Sequence, residues 1–165
     1  MRLAVFAAAA ALALPASAQT LSVKGPAGQA ANFSAAEVAA LPRVSFLFDS
    51  HGQKQTYEGP LLIDVLAKGG TPTGKALRGP ALGHAVVVRA SDGYTVVYGL
   101  AELDPGTRAN RIILADKADG KPLEAKDGPF KVVAEGDLRP ARSARMVTSV
   151  EVVKLGGDSG APHNH

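Results

Sequence analysis

The sequence has 165 residues, with 18 basic and 15 acidic side chains and no cysteine. This length is typical of one domain with a short leader, and the charge balance is too weak to predict a nucleic-acid partner. The absence of cysteine excludes disulfides, a nucleophilic thiol and thiolate ligation of a metal by this chain. The fold must therefore be held by core packing and hydrogen bonds.

The first 18 residues have the pattern of a secretory signal peptide. Arg2 precedes an apolar run over 3–14, and the small residues Ala16-Ser17-Ala18 follow. The run is about 12 residues long, whereas a membrane-spanning helix needs roughly 20, so we expect no stable membrane anchor. We expect cleavage of residues 1–18 and a periplasmic or secreted domain over 19–155. The tail over 156–165 is rich in glycine and polar residues without periodicity and is expected to be disordered.

The first half of the mature chain mixes short strands and helices. Its predicted elements are a strand at 21–23, a short helix after Ser34, a strand at 44–48 and a helix over 61–68. Ser34 and Glu37 have the spacing of a capping box. Pro60 is placed in the first turn of the second helix, and Gly69 with Gly70 supplies its end.

From residue 84 onward the pattern is one of strands. His84–Arg89 and Thr95–Tyr98 are rich in β-branched residues, and Asp92-Gly93 between them is a strong hairpin signal. Further strands are predicted at 111–115, 130–133 and 147–154. Together the elements predict an α+β domain with a mixed, mostly antiparallel sheet and short flanking helices.

Five segments over residues 40–154 come in an order that resembles a known family. They are Tyr57–Leu66, Ala90–Tyr94, Leu114–Asp116 with Asp119–Leu123, Gly128–Val133, and Arg145–Val152. In this order and spacing the chain resembles the oxidoreductase molybdopterin-binding domain of the sulfite oxidase family, and more narrowly its small exported single-domain members. The resemblance implies the sulfite-oxidase-like fold and makes molybdopterin a possible cofactor.

The chain departs from that family at the metal ligand. In catalytic members a cysteine thiolate, upstream of the segment that matches Tyr57–Leu66, coordinates molybdenum. The corresponding region here is 44–52, which contains Asp49, Ser50 and His51 but no soft ligand. We therefore expect that molybdopterin binding is lost and that the chain has no cofactor.

Three arginines at a spacing of three residues, Arg139, Arg142 and Arg145, form the main candidate for an anion or cofactor site. Guanidinium groups suit bidentate binding of phosphate, sulfate or carboxylate. In the resemblance their loop lies near the place where family members hold the cofactor. The alternative is a solvated loop whose arginines pair with Asp137 or Glu135.

Histidines supply the other candidate ligands. His51 lies in a turn after a strand and is a possible cofactor-binding residue, proton carrier or metal ligand, with an exposed turn histidine as the alternative. His84 opens a strand and is expected to be solvated or hydrogen-bonded there. His163 and His165 lie in the tail, where a metal site would be poorly organised. We predict no metal site.

Two acidic features have structural explanations as well as functional ones. Asp49 and Glu58 are candidates for a paired-carboxylate site, although nothing in the sequence fixes their separation. Asp92 belongs to the Asp-Gly hairpin turn, and turn geometry alone explains it.

Three functions remain open. The first, which we favour, is a noncatalytic binding or accessory module without molybdenum, whose partner is a small anion or a periplasmic protein. The second is a molybdopterin-dependent oxidoreductase or subunit in which Asp49, Ser50 or His51 replaces the cysteine, or a partner completes the site. The third is a periplasmic metal-binding or structural protein that uses His51 and His84. The sequence does not fix the oligomeric state.

Overall fold

Strands dominate the fold. The computed structural model describes residues 19–50 and 52–155. In these residues the strands are β1 (Thr20–Lys24), β2 (Ala30–Ser34), β3 (Arg43–Ser50), β4 (Gln53–Pro60), β5 (His84–Ala90), β6 (Thr95–Gly99), β7 (Ile112–Ala115), β8 (Lys117–Ala118), β9 (Lys121–Pro122), β10 (Lys131–Ala134) and β11 (Val147–Lys154). The helices are α1 (Ala35–Ala39), α2 (Leu62–Ala67) and 3-10 turns at Gly74–Ala76, Gly79–Gly83, Leu100–Leu103 and Pro140–Arg142.

The largest sheet has the strand order β2-β1-β11-β5-β6. Its β1 and β11 run parallel, with Ser22 opposite Ser149, while the other pairs are antiparallel. The hairpin of β5 and β6 turns at Asp92-Gly93, where Gly93 has a φ of 85°. A strand from the C-terminal part of the chain thus lies at the centre of the sheet.

The described residues also form two smaller sheets. One has the order β3-β4-β8-β9, and the other pairs β10 with β7. The hairpin of β3 and β4 is regular from Arg43 opposite Pro60 to Ser50 opposite Gln53. The backbones of β4 and β7 approach so closely that a Cβ at Gly59 would lie 2.1 Å from the carbonyl oxygen of Leu114. Only glycine fits at that position without a shift of the backbone.

The buried strand β7 joins two hydrophobic clusters. Ile112 and Leu114 lie in the main cluster, which also packs β1, α2, β5 and β11. Ile113 and Ala115 lie in a second cluster with aromatic residues of β3 and β4. Alternate side chains of a strand point to opposite faces, so one short apolar strand serves both clusters.

The structure confirms most of the predicted elements. The strands predicted at 21–23, 44–48, 84–89, 95–98, 111–115, 130–133 and 147–154 are present within a residue or two, as are both helices. The capping box is also confirmed, because Ser34 Oγ accepts from the amide of Glu37 and the Glu37 carboxylate accepts from the amide of Ser34.

One prediction about the fold is corrected, because Pro60 ends β4 rather than occupying the first turn of α2, whose N-cap is Leu61. Strands β2, β4, β8 and β9 were not predicted. The described residues form a mixed set of sheets with a few short helices, as predicted, and the fold is mainly β. The predicted leader and tail lie outside the described residues, and within those residues no helix is both long and apolar enough to cross a membrane.

Candidate functional site

A cleft opens where the free end of the β3–β4 hairpin faces β10 and the loop before β11. Its main cavity has a volume of about 390 Å³ and is lined by side chains that include Phe48, Ser50, Gln55, Tyr57, Lys131 and Ser143. We call it the Lys131 cavity. A neighbouring cavity of about 370 Å³ shares Ser50, Lys131 and Ser143 and adds Asp92, Tyr94 and Arg145, and we call it the Arg145 cavity.

Strand alternation explains why these residues share one face. Gln53, Gln55 and Tyr57 occupy every second position of β4 and all line the Lys131 cavity. On β3, Ser50 lies opposite Gln53 and Phe48 opposite Gln55, and directly opposed residues of a hairpin point to the same face. The polar strand β4, which has no apolar run, therefore forms one wall of the cleft.

Lys131 lies at the centre of the cleft. Its side chain is only 15% exposed. Lys131 Nζ donates to the hydroxyl of Tyr57 at 3.0 Å and lies 4.8 Å from the centroid of that ring. The Tyr57 hydroxyl in turn donates to Gln55 Oε1 at 2.7 Å, and a carboxylate oxygen of Asp127 is 3.7 Å from Lys131 Nζ. The ammonium group is thus fixed in position, with a charge-balancing carboxylate nearby.

Packing around β10 holds this lysine in place. Lys131 begins β10, and its neighbour Val132 points into the main core while Val133 lies in the second cluster. Lys131 and Val133 both line the Lys131 cavity, as residues two apart on one strand do. The ring of Tyr57 packs edge-on against Phe48, with centroids 6.4 Å apart.

Arg142 forms hydrogen bonds that hold its own loop, and it lines neither cavity. Its Nε and Nη2 donate to Asp137 at 3.0 and 2.8 Å, and its Nη1 donates to Glu102 at 3.3 Å. These hydrogen bonds raise the pKa of Arg142 further above its usual range. The guanidinium carbon lies 4.9 Å from the ring centroid of Tyr98, whose hydroxyl donates to the Arg142 carbonyl. The pairing with Asp137 was the predicted alternative to anion binding.

The other two arginines of the predicted triad face different cavities. Arg145 is exposed and lines the Arg145 cavity, whereas Arg139 is exposed beside Leu138 at a separate surface hollow. Among the described residues, neither forms an ion pair with a carboxylate. The structure therefore does not bring the three guanidinium groups together. Glu135, the other predicted partner, pairs with Arg111 at 2.7 Å.

The predicted histidine sites are not assembled in the described part of the chain. His51 lies outside the described residues, so its role as a cofactor-binding residue stays a prediction. Its neighbour Ser50 lines both cavities. His84 is half-buried at the start of β5, with Nδ1 3.0 Å from the carbonyl oxygen of Ala81, which agrees with a hydrogen-bonded strand residue.

The acidic candidates have structural partners. Asp49 accepts from the amide of Gly52 at 2.7 Å, and Glu58 accepts from Arg43 Nε at 2.7 Å. The β3–β4 register places Glu58 opposite Ser45, four positions along the strand from Asp49, so the two carboxylates do not form a pair. Asp92 accepts from the amide of Tyr94 at 2.9 Å, as expected for its turn.

The donor set of the cleft contains no soft ligand for a molybdenum cofactor. The groups that line the cleft are hydroxyls, amides, one ammonium and one guanidinium, together with the carboxylates of Asp92 and Asp127, which equal the two cations in number. Molybdenum held through a protein thiolate needs a cysteine, and the sequence has none. In residues 19–50 and 52–155, no three His, Cys, Asp or Glu side chains gather as metal ligands would.

Sequence reasoning missed the residues at the centre of the cleft. Gln55 and Tyr57 alternate along a polar segment, which is the pattern of a one-sided strand, but no apolar residue accompanies them. Lys131 begins an apolar strand, and a charged residue at that place is usually a solvated end. Its contact with Tyr57 joins residues 74 positions apart, so only the fold reveals it.

Comparison with known proteins supports the fold. No family model and no curated protein matches the chain. Among solved structures, the sulfane dehydrogenase SoxCD from Paracoccus pantotrophus is similar with a TM-score of 0.63 at 14% sequence identity, over 87% of this chain. This chain spans 40% of the length of that chain. The likeness shows a shared fold alone.

Proposed function

We propose that this chain is an exported, noncatalytic binding or accessory module built on a sulfite-oxidase-like fold. The observation that carries the proposal is the Lys131 cavity, a formed cleft with polar ligand-binding groups and no soft metal ligand. Such a cleft is suited to holding a small molecule, and it lacks the thiolate that coordinates molybdenum in catalytic members of the family that the sequence resembles.

Two further features support this proposal. The fold is shared with part of a sulfane dehydrogenase, and a shared fold carries different functions in different proteins. The carboxylates of Asp92 and Asp127 equal the two lining cations in number, so little net positive charge is left for a highly anionic cofactor. The signal-peptide pattern of residues 1–18 supports export of this module to the periplasm or out of the cell.

Metal analysis of the protein purified from its native host tests the proposal. We expect no stoichiometric molybdenum and no visible chromophore, because the chain offers no thiolate. A molybdoenzyme purified in parallel from the same cells controls for the supply of cofactor. Stoichiometric molybdenum in this protein would contradict the proposal.

Ser50 keeps a second function open. It lines both cavities, at the end of the strand that corresponds to the ligand-bearing region of catalytic family members. A molybdopterin-dependent oxidoreductase with a hydroxyl ligand would therefore hold its metal here. That alternative predicts molybdenum in the wild-type protein and its loss in Ser50→Ala.

A further inference from the structure

The ammonium group of Lys131 has hydrogen-bonding capacity that the fold does not use. An ammonium group has three N–H donors. In the described residues one of them is donated to the Tyr57 hydroxyl, and the Asp127 carboxylate, 3.7 Å away, is beyond hydrogen-bond distance. The side chain is only 15% exposed, and a ligand in the cavity could accept from the remaining donors in place of water. A charged acceptor in the cavity would bind more strongly there than at the surface.

Other polar groups at the same cavity also lack a protein partner. Gln55 is exposed, its Oε1 accepts from Tyr57, and its NH₂ group is open to solvent, with no partner among the described residues. Ser143 Oγ is buried and lacks a hydrogen-bond partner in the described structure. Both residues line the Lys131 cavity. Donors are thus available for more than one ligand oxygen.

The lining of the Lys131 cavity also has an apolar part, beside the polar Ser50, Gln53 and Asp127. Pro140 is half-buried, Phe48 is 5% exposed and Val133 is fully buried. A ligand with an apolar body would cover the exposed parts of Phe48 and Pro140, which a bare inorganic oxyanion would leave in contact with water. The volume of about 390 Å³ is ample for a single aromatic ring with one substituent.

We propose that the Lys131 cavity binds a small monocarboxylate with an apolar body, and this inference rests on the proposed function as a metal-free binding module. The carboxylate accepts from Lys131 Nζ, with Gln55 and Ser143 as further donors. The body of the ligand packs against Phe48 and Pro140. A single negative charge is favoured, because Asp127 already offsets much of the positive charge of Lys131.

Calorimetric titration of the mature protein at constant ionic strength tests this site. We expect saturable binding of benzoate, while benzamide, which has the same shape without the charge, binds roughly tenfold more weakly or not at all. Sulfate, phosphate and molybdate should not saturate the site. Lys131→Met should weaken benzoate binding by about tenfold or more, since it removes a charged hydrogen bond. Arg139→Ala, which removes an exposed cation outside the cavity, should bind benzoate like the wild type.

Wild-type crystals soaked in para-bromobenzoate give a second test that does not depend on a variant folding. The bromine should appear in the anomalous map between Phe48 and Pro140, with the carboxylate directed at Lys131. Bromine elsewhere or none, equal binding of benzamide and benzoate, or benzoate binding unaffected by Lys131→Met would each overturn the inference. Molybdenum measured on the same preparation separates the proposed function from the proposed ligand. A metal-free protein that does not bind benzoate refutes only the monocarboxylate site.

Discussion

Removing the guanidinium group of Arg142 should destabilise the protein, although Arg142 lies on a surface loop. The group is 35% exposed, and it pairs with Asp137 and Glu102, whose side chains are 16% and 28% exposed. Exposed ion pairs contribute up to about 1 kcal/mol each, and the stacking on Tyr98 adds about 0.5–1 kcal/mol. We expect Arg142→Ala to lower the free energy of unfolding by about 2 kcal/mol. For a domain of this size the melting temperature would fall by about 6–8 °C.

Urea unfolding followed by circular dichroism measures this change, with Arg139→Ala as the matched control. Arg139 is an exposed arginine of the same loop without a carboxylate partner in the described residues, so its removal should change stability by less than about 0.5 kcal/mol. Arg142→Lys should fall between the two, because an ammonium group keeps the charge but cannot reproduce the fork onto Asp137. Equal unfolding midpoints for Arg142→Ala and Arg139→Ala would refute the reasoning and favour a merely solvated loop.

Three further predictions concern other parts of the chain. Gly59→Ala should lower the free energy of unfolding by about 3 kcal/mol or prevent folding, because its Cβ would meet the Leu114 carbonyl. Gly99→Ala is the control: no atom lies within 4 Å of its new Cβ, so it should unfold like the wild type. Burial raises the pKa of Asp64, so stability is lost as the pH rises from the ordinary pKa of the unfolded state through that raised value. Asp64→Asn should therefore be more stable than the wild type at pH 7 and lose that advantage at pH 3, and denaturant unfolding at both pH values measures this. The mass of the exported protein should correspond to cleavage after Ala18, and a full-length product would contradict the signal peptide.

The strands that the sequence predicted are those whose signal is local. Val86, Val87 and Val88 lie in a β-branched run, and Asp92-Gly93 specifies the turn that follows. Strand β2 lacks such a run, since its sequence AANFS is dominated by small and polar residues, and it forms because it pairs along its whole length with β1. Strand β4 begins with four exposed polar residues and is held by β3 on one side and β8 on the other. Pairing with a neighbour, rather than propensity, determines both strands.

The candidate site could be predicted only where its contacts are short in sequence. The pair of Arg142 with Asp137 spans five residues and was among the predicted alternatives. The contact of Arg142 with Glu102 spans 40 residues, and that of Lys131 with Tyr57 spans 74. Polar side chains that meet over such separations leave no periodic pattern. The sequence therefore predicted neither the contact of Arg142 with Glu102 nor the position of Lys131 at the centre of the cleft.

The position of β11 has a consequence for the order in which the protein folds. This strand is the last one in the described chain, yet it lies between β1 and β5, so the largest sheet cannot close until residue 154 has been synthesised. Before that point β1 with β2 and β5 with β6 can form only separate hairpins, and isolated hairpins are marginally stable in water. A nascent chain of this topology therefore cannot complete its largest sheet before the last described strand has been synthesised.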